Sequence, residues 1–216
     1  AESLVSKGYR TIKIKVGQIN SVLEARGIQD IRGSVGPDIR LRLDANRSWD
    51  LETAIEFGRA VKDLDIEYIE EPTIHPEELP RFYDACSVPF AFDETLHRIL
   101  DPTLSFASYT GLKALVLKPS LIGCTARFVA LVNQAREQNI MPVISSSFES
   151  DVGLAALAQL AASITGDKIA VGLDTRSTLA AGTAKTPATI QNGWMPVKTL
   201  TTSDLDLTHC ELIYHS

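Results

Sequence analysis

The chain has 216 residues, of which 44% are hydrophobic and 22% charged, so it can bury the core of one globular domain. Its net charge of −6 and its scattered basic residues exclude the footprint of a nucleic-acid-binding protein and the basic block of a membrane-surface protein. Cys86, Cys124 and Cys210 are odd in number and far apart, and no apolar run approaches the roughly 20 residues of a membrane span, so we expect a cytosolic protein with reduced thiols.

Apolar runs rich in branched residues alternate with stretches of helical periodicity. The runs predict seven strands, at 11–16, 39–45, 66–72, 89–94, 114–119, 141–147 and 169–174. Helices are predicted over 1–9, 51–64, 125–138 and 154–164, with Ser48 or Asp50 capping the second of them and Asp151 the last. Strands that alternate with helices favour a parallel sheet covered by helices.

Ionisable side chains lie near the ends of the first five predicted strands. In chain order they are Lys13 and Lys15, Asp44, Glu70, Asp93 and Lys118. They recur every 25 residues or so, and a strand with its return helix takes about 30 residues in an eight-fold barrel. The spacing therefore predicts that these groups meet at one end of a barrel. Alone, each carboxylate is more typical of a helix cap or an ion-pair partner.

Alternation within the strands indicates that the charged groups point into the barrel. Lys13 and Lys15 share one face of their strand, and Ile12 and Ile14 share the other. An unpaired charge inside would cost several kcal/mol, so opposite charges or a metal ion must compensate it. Three carboxylates without a histidine favour Mg²⁺, with Mn²⁺ also possible, over zinc or copper.

Lysines beside such a site suggest removal of a proton next to a carboxylate. A free lysine has a pKa of about 10.4, so a base that works near pH 7 needs its pKa lowered by about three units. A second lysine on the same face and a divalent cation supply the required repulsion. Without the carboxylates, the Lys13–Lys15 pattern is typical of a solvated strand edge.

Several motifs together resemble the enolase superfamily, and within it the o-succinylbenzoate synthase family of the menaquinone pathway. They are KIKVG at 13–17, LRLDAN at 41–46, IEEP at 69–72, FDET at 92–95, LKPS at 117–120 and ISSSFES at 144–150. Sites of this superfamily use a lysine or histidine base with one or two magnesium ions. The resemblance implies an α/β fold, the TIM-type (β/α)7β barrel, which in this chain lacks its first strand and the N-terminal capping domain.

The resemblance also implies a role for each residue at these motifs. Lys15 would be the base, Lys13 its electrostatic partner, and Lys118 a stabilising cation on the opposite face of the substrate. Asp44, Glu70 and Asp93 would bind Mg²⁺. We expect Ser145 and Ser147 to bind a substrate carboxylate, unless they cap the next segment, and Arg42 and Asn46 to support the substrate site. We expect Glu71 and Glu94 to orient their neighbours without binding metal. Gly172 is expected to allow close approach of the backbone, and Asp174 to line the pocket or cap the following segment.

The expected partner is a small-molecule carboxylate, with no nucleic acid and no membrane. Residues 1–185 would form the catalytic barrel, and residues 186–216 a tail that packs back on the barrel or on the capping domain. The expected activity is dehydration of 2-succinyl-6-hydroxy-2,4-cyclohexadiene-1-carboxylate to 2-succinylbenzoate. Racemisation of an N-succinylamino acid, epimerisation of a dipeptide, and a non-catalytic barrel fragment that mediates assembly remain alternatives.

Overall fold

One parallel sheet organises the chain. The computed structural model describes residues 1–98, 105–179, 181–187, 189–197 and 199–208. In these ranges six strands pair in sequential order and curl into a half-barrel. They are β1 (Thr11–Lys15), β2 (Arg40–Asp44), β3 (Ile66–Glu70), β4 (Phe90–Phe92), β5 (Leu112–Leu117) and β6 (Met141–Ile144). Each strand pairs in parallel with the next one along the chain, as the alternating pattern predicts.

Helices connect the strands. They are α1 (Glu2–Ser6), α2 (Ser21–Val35), α3 (Leu51–Val61), α4 (Leu79–Cys86), α5 (Glu94–Arg98), α6 (Pro119–Ile122), α7 (Thr125–Glu137) and α8 (Asp151–Thr165). Short 3-10 helices lie at Lys62–Leu64, Pro76–Glu78, Phe106–Ser108, Arg176–Thr178 and Thr202–Asp204. In the described part of the chain, none of these helices has the length and apolar character that a membrane crossing requires.

The two predicted helix caps have different outcomes. Asp50 caps α3 as expected, because its carboxylate accepts a hydrogen bond from the Thr53 backbone N–H at 2.8 Å. The prediction for α8 is wrong by one residue, since Ser150 is its N-cap. The buried Asp151 carboxylate instead accepts from Arg176 Nε and from the Thr183 backbone N–H, both at 2.6 Å. It therefore ties the segment after residue 181 to the start of α8.

The seventh predicted strand is not a regular strand. Residues 169–174 make a single parallel bridge, between Ser145 and Gly172. The Gly172 N–H donates to Ile144 O and the Ser146 N–H donates to Gly172 O, both at 2.9 Å. Pairing ends there because the Thr175 N–H turns back to Leu173 O. The complete (β/α)7β count thus stays a prediction.

Gly172 allows this close approach, as expected. A Cβ at this position would lie 2.7 Å from Ser145 Oγ, which is closer than real Cβ atoms approach a neighbour. The glycine thereby brings the segment 169–174 against the end of β6.

The two faces of the sheet have different surroundings. The face toward the helices contributes to the main core, with Leu41, Leu43, Ile69 and Phe92 fully buried. The interior face carries a smaller apolar cluster formed by Tyr68, Ala91, Ala114, Val116 and Val143. The charged residues share this interior face toward the carboxyl ends of the strands, in agreement with the predicted alternation.

The described part of the C-terminal segment packs on the half-barrel. Ala184 forms an antiparallel bridge with Leu205, and Gln159 in α8 donates to Thr199 Oγ1 at 3.4 Å. A Cβ at Gly193 would lie 2.3 Å from Gly8 O, so this stretch also contacts the turn before β1. The division at residue 186 stays a prediction, and Cys210 lies outside the described residues.

Arg42 spans the barrel interior and is almost fully buried. Its Nε donates to Glu67 Oε2 at 2.5 Å, and its Nη1 donates to Ala170 O at 2.8 Å. Its guanidinium carbon lies 5.1 Å from the centroid of the Tyr68 ring. One side chain therefore connects β2 and β3 with the segment that follows α8.

Replacement of Arg42 by alanine should strongly destabilise the protein. It leaves Glu67 without its buried partner and Ala170 O without a donor, and breaking a buried ion pair costs about 3–5 kcal/mol. Arg40→Ala is the matched control, because Arg40 is half exposed and lies 4.0 Å from the same carboxylate. It should cost less than about 1 kcal/mol. Urea unfolding followed by circular dichroism measures both losses, and equal losses would contradict the bridging role.

Candidate active site

The carboxyl ends of the strands bring the predicted residues together. Lys15, Asp44 and Glu70 are direct neighbours in the register of β1, β2 and β3. Asp93 follows the last residue of β4, and Lys118 follows the last residue of β5. The sheet thus orders the groups as lysine, three carboxylates, lysine.

Lysines from both sides bind the carboxylates. Lys13 Nζ lies 2.9 Å from Asp44 Oδ2 and 3.1 Å from Glu70 Oε2. Lys15 Nζ lies 2.7 Å from the same Asp44 oxygen. On the other side, Lys118 Nζ donates to Asp93 Oδ2. The carboxylates are almost completely buried, whereas the side chain of Lys15 is 57% exposed and can reach a ligand at the mouth.

Burial and charge shift the pKa values in this group. Burial raises the pKa of Glu70 well above its usual value; Lys13 opposes this rise, while Asp44 and Asp93 add to it. Burial also works against the charge of Asp44, but Lys13 and Lys15 outweigh it and lower the pKa of Asp44. Burial alone would lower the pKa of Lys13, but the carboxylates of Glu70 and Asp44 raise it above the usual lysine value. The two carboxylates thus favour the charged form of Lys13.

The residues present fit a hard divalent cation. Asp44, Glu70 and Asp93 offer only oxygen ligands, the type that Mg²⁺ prefers. Asp93 Oδ1 is buried and accepts no hydrogen bond from the described residues, so this oxygen could bind a cation without breaking a hydrogen bond. Within those residues no group of three or more acidic, histidine or cysteine side chains has converged to metal-binding distances.

Glu71 is hydrogen-bonded to the backbone and side chains that follow the neighbouring strands. Its Oε1 accepts from the backbone N–H groups of Asp93 at 2.8 Å and Thr95 at 2.7 Å. Its Oε2 accepts from Thr95 Oγ1 at 2.8 Å and Arg47 Nε at 3.1 Å. Glu71 is fully buried, and these bonds fix the backbone that carries Asp93.

Asn46 and Glu94 form a second link across the mouth. Asn46 Oδ1 accepts from Lys15 Nζ, and its Nδ2 donates to Glu94 Oε1 at 2.9 Å. Asn46 has a φ of 44°, in the left-handed region that asparagine tolerates better than most residues. It therefore bridges the end of β2 to the start of α5.

The predicted serines lie at the end of β6 in two different settings. Ser145 is buried, and its hydroxyl donates to Gly172 O at 3.3 Å. Ser147 lies at the mouth, where its hydroxyl contacts Ser120 Oγ at 2.6 Å and Glu149 Oε1 at 2.8 Å. Substrate binding by either serine stays a prediction.

Other predicted residues are distributed around this site. Arg42 lies two residues before Asp44 on β2, deeper in the interior, so its role toward a substrate stays a prediction. Asp174 accepts a hydrogen bond from the Tyr9 hydroxyl at 2.6 Å. Burial and this hydrogen bond raise the pKa of Tyr9 to about 12.

Sequence reasoning gave no role to three residues that the structure places near this site. Ser120 and Glu149 contact each other at the mouth, and His97 Nε2 lies 3.9 Å from Asp93 Oδ1. The four-residue spacing of Asp93 and His97 could have indicated this proximity. Nothing in the local sequence pairs Ser120 with Glu149, because they follow different strands.

Comparisons with known proteins agree with this architecture. Residues 1–201 match the family described as Enolase C-terminal domain-like. The o-succinylbenzoate synthase of Proteus mirabilis is 37% identical over 171 residues, which cover 78% of this chain and 51% of that protein. The synthase of Thermobifida fusca is 33% identical over 215 residues, which cover 98% of this chain and 66% of that protein.

A solved structure shows the same fold. The substrate-liganded L-Ala-D/L-Glu epimerase of Bacillus subtilis superposes with a TM-score of 0.76 at 26% identity, covering 90% of this chain and 55% of that one. The chain spans about half the length of the Proteus synthase and of the epimerase, and about two thirds of the Thermobifida synthase. Since the family match covers nearly the whole chain, the resemblance is confirmed at this level, and the chain belongs to the enolase superfamily as a domain of its C-terminal, barrel-forming type.

Proposed function

We propose that this chain carries the catalytic groups of an o-succinylbenzoate synthase in menaquinone biosynthesis. The reaction removes the proton α to the carboxylate of 2-succinyl-6-hydroxy-2,4-cyclohexadiene-1-carboxylate and expels the hydroxyl as water, which gives 2-succinylbenzoate. The observation that carries the proposal is the row of three buried carboxylates with Lys15 on one side and Lys118 on the other. Similarity to the two bacterial synthases supports the choice of substrate.

The three lysines have different roles in the proposed reaction. Lys15 is the exposed member of its pair and takes the α proton as the general base. After this step it is protonated, so it is also the acid for the departing hydroxyl if both groups leave from one face. Lys13 remains a cation bound to Asp44 and Glu70 and raises the local positive potential. Lys118 faces the substrate from the other side and stabilises the enediolate by its charge.

Asp44, Glu70 and Asp93 would hold Mg²⁺, with Mn²⁺ as a substitute. When bound, the ion supplies positive charge where negative charge develops on the substrate carboxylate. Glu71 and Asn46 contribute by holding the strand ends, as their contacts with the Asp93 backbone and Lys15 indicate. Neither residue has to touch the substrate for this purpose.

Racemisation or epimerisation is a second candidate function. It is favoured by the 26% identity to the Bacillus epimerase and by the presence of a lysine on each side of the carboxylates. In that reaction both lysines exchange a proton, one from each face of the α carbon. In the dehydration only Lys15 does so. The two functions therefore differ in the number of lysines that move a proton.

Turnover by the full-length protein discriminates among the candidates. Conversion of the cyclohexadiene substrate to 2-succinylbenzoate, followed by the change in ultraviolet absorbance, is the expected result. Deuterium exchange of N-succinylamino acids or dipeptides without that conversion would favour the second candidate. Metal binding without turnover of any of these acids would favour a non-catalytic barrel.

Asp93→Asn should abolish productive metal binding. The substitution removes one of three clustered charges and replaces one of the two carboxylate oxygens of Asp93 by an NH2 group, which cannot bind a cation. We expect Mg²⁺ affinity, measured by isothermal titration calorimetry, to fall by at least about 100-fold, with a parallel loss of turnover. Asp30→Asn, on the exposed face of α2, is the control and should change neither. Near-normal affinity in Asp93→Asn would remove this residue from the site.

Lys15→Ala and Lys118→Ala should fail in different ways. Loss of the base should slow exchange of the substrate α proton into deuterated water by about 100-fold to 10,000-fold. Loss of Lys118 should reduce dehydration but leave slow exchange measurable by NMR. Normal exchange in Lys15→Ala would show that the base is another group. Loss of exchange in both variants would support the racemase or epimerase reaction.

A further inference from the structure

Two serine hydroxyls converge beside Lys118 at the mouth of the half-barrel. Ser120 lies in α6, two residues after Lys118, and Ser147 lies three residues after the end of β6. Their oxygens are 2.6 Å apart. Since hydroxyls donate hydrogen bonds to carboxylates, this pair by itself would be a binding place for an anionic group of a ligand.

Glu149 uses all the donors that the pair offers. Its Oε1 lies 2.6 Å from Ser120 Oγ and 2.8 Å from Ser147 Oγ, and its Oε2 accepts from the Ser147 N–H at 2.6 Å. Each hydroxyl carries a single proton, so once both donate to Glu149 neither has a proton for the other. The short contact between the two serine oxygens is then left without a donor.

The corner therefore carries a fixed negative charge. Burial opposes the ionised form of Glu149, but hydrogen bonds from Ser120, Ser147 and Ser146 outweigh it and lower the pKa of Glu149 to about 2. Among the ion pairs of the described residues, none involves Glu149. A second carboxylate that enters the corner would therefore meet a like charge that none of these ion pairs neutralises.

We propose that Glu149 is a specificity-determining residue, because its carboxylate occupies the place that the distal carboxylate of a dicarboxylate substrate would take. Such a substrate binds only after it displaces Glu149 from Ser120 and Ser147. The identity of the displacing group rests on the proposed function, in which the succinyl side chain carries the second carboxylate. A ligand without that group leaves Glu149 on the serines.

The local structure allows this displacement. Glu149 is only partly buried, and its polar contacts are confined to the loop after β6 and to Ser120. The preceding Phe148 has a φ of 67° and is 62% exposed, so the loop holds an aromatic residue in an unfavourable backbone conformation outside the core. Glu149 belongs to neither apolar cluster, so rotation of its side chain away from the serines opens no part of the core.

Glu149→Gln in the full-length protein tests the proposal. The amide keeps an acceptor for the serines but removes the competing charge, so we expect KM for the dicarboxylate substrate to fall about tenfold with kcat changed less than twofold. Glu149→Ala should lower KM in the same direction. KM for the monoamide of the distal carboxylate should not change. Glu137→Gln, which replaces an exposed glutamate at the end of α7, is the control.

A binding measurement separates this inference from the proposed function. Calorimetric titration with succinate should show about tenfold tighter binding to Glu149→Gln than to the unchanged protein, whether or not the protein turns over the cyclohexadiene substrate. Equal or weaker succinate binding in both Glu149 variants would overturn the inference. If succinate binding tightens while no variant forms 2-succinylbenzoate, the proposed function fails and the role of Glu149 stands.

Discussion

Three carboxylates buried at one end of a half-barrel need positive charge close by, and the rest of the site depends on this requirement. Asp44, Glu70 and Asp93 are each about 1% exposed or less, so their mutual repulsion is poorly screened. Lys13 supplies part of this positive charge, since its ammonium group contacts both Asp44 and Glu70. The divalent cation proposed for this site would supply positive charge to the same carboxylates, so the stability of this end of the barrel and its proposed chemistry would depend on the same groups.

A buried hydrogen-bond network around Glu71 holds the backbone next to the carboxylates in place. Glu71 accepts four hydrogen bonds within one buried network, and two of the donors are backbone N–H groups at the start of α5. Glu71 and Arg47 both have positive φ values, 44° and 61°. Such backbone conformations persist only when surrounding contacts hold them, and here those contacts hold the backbone of a proposed metal ligand.

Much of this was predictable because strand periodicity and strand order are local properties. The apolar runs predicted all six strands of the sheet, and alternation placed Lys13, Asp44 and Lys118 on the interior face of their strands. Parallel strands connected by helices all end at the same edge, so residue spacing alone brought Asp93 and Lys118 to that edge as well. The predicted seventh strand failed because a turn at Leu173 and Thr175, set by one hydrogen bond, ends the pairing after Gly172.

The sequence by itself determined the fold class, the family and the row of charged groups, because each follows from periodicity and motif. Only the tertiary structure decided which groups pair. It joined Arg42 to Ala170, and it placed Glu149 on the hydroxyls of Ser120 and Ser147. Arg42 and Ala170 are 128 residues apart in the sequence, and Ser120 and Glu149 are 29 residues apart. No local pattern encodes them, because the curvature of the sheet sets which side chains meet across the barrel and between neighbouring strand ends.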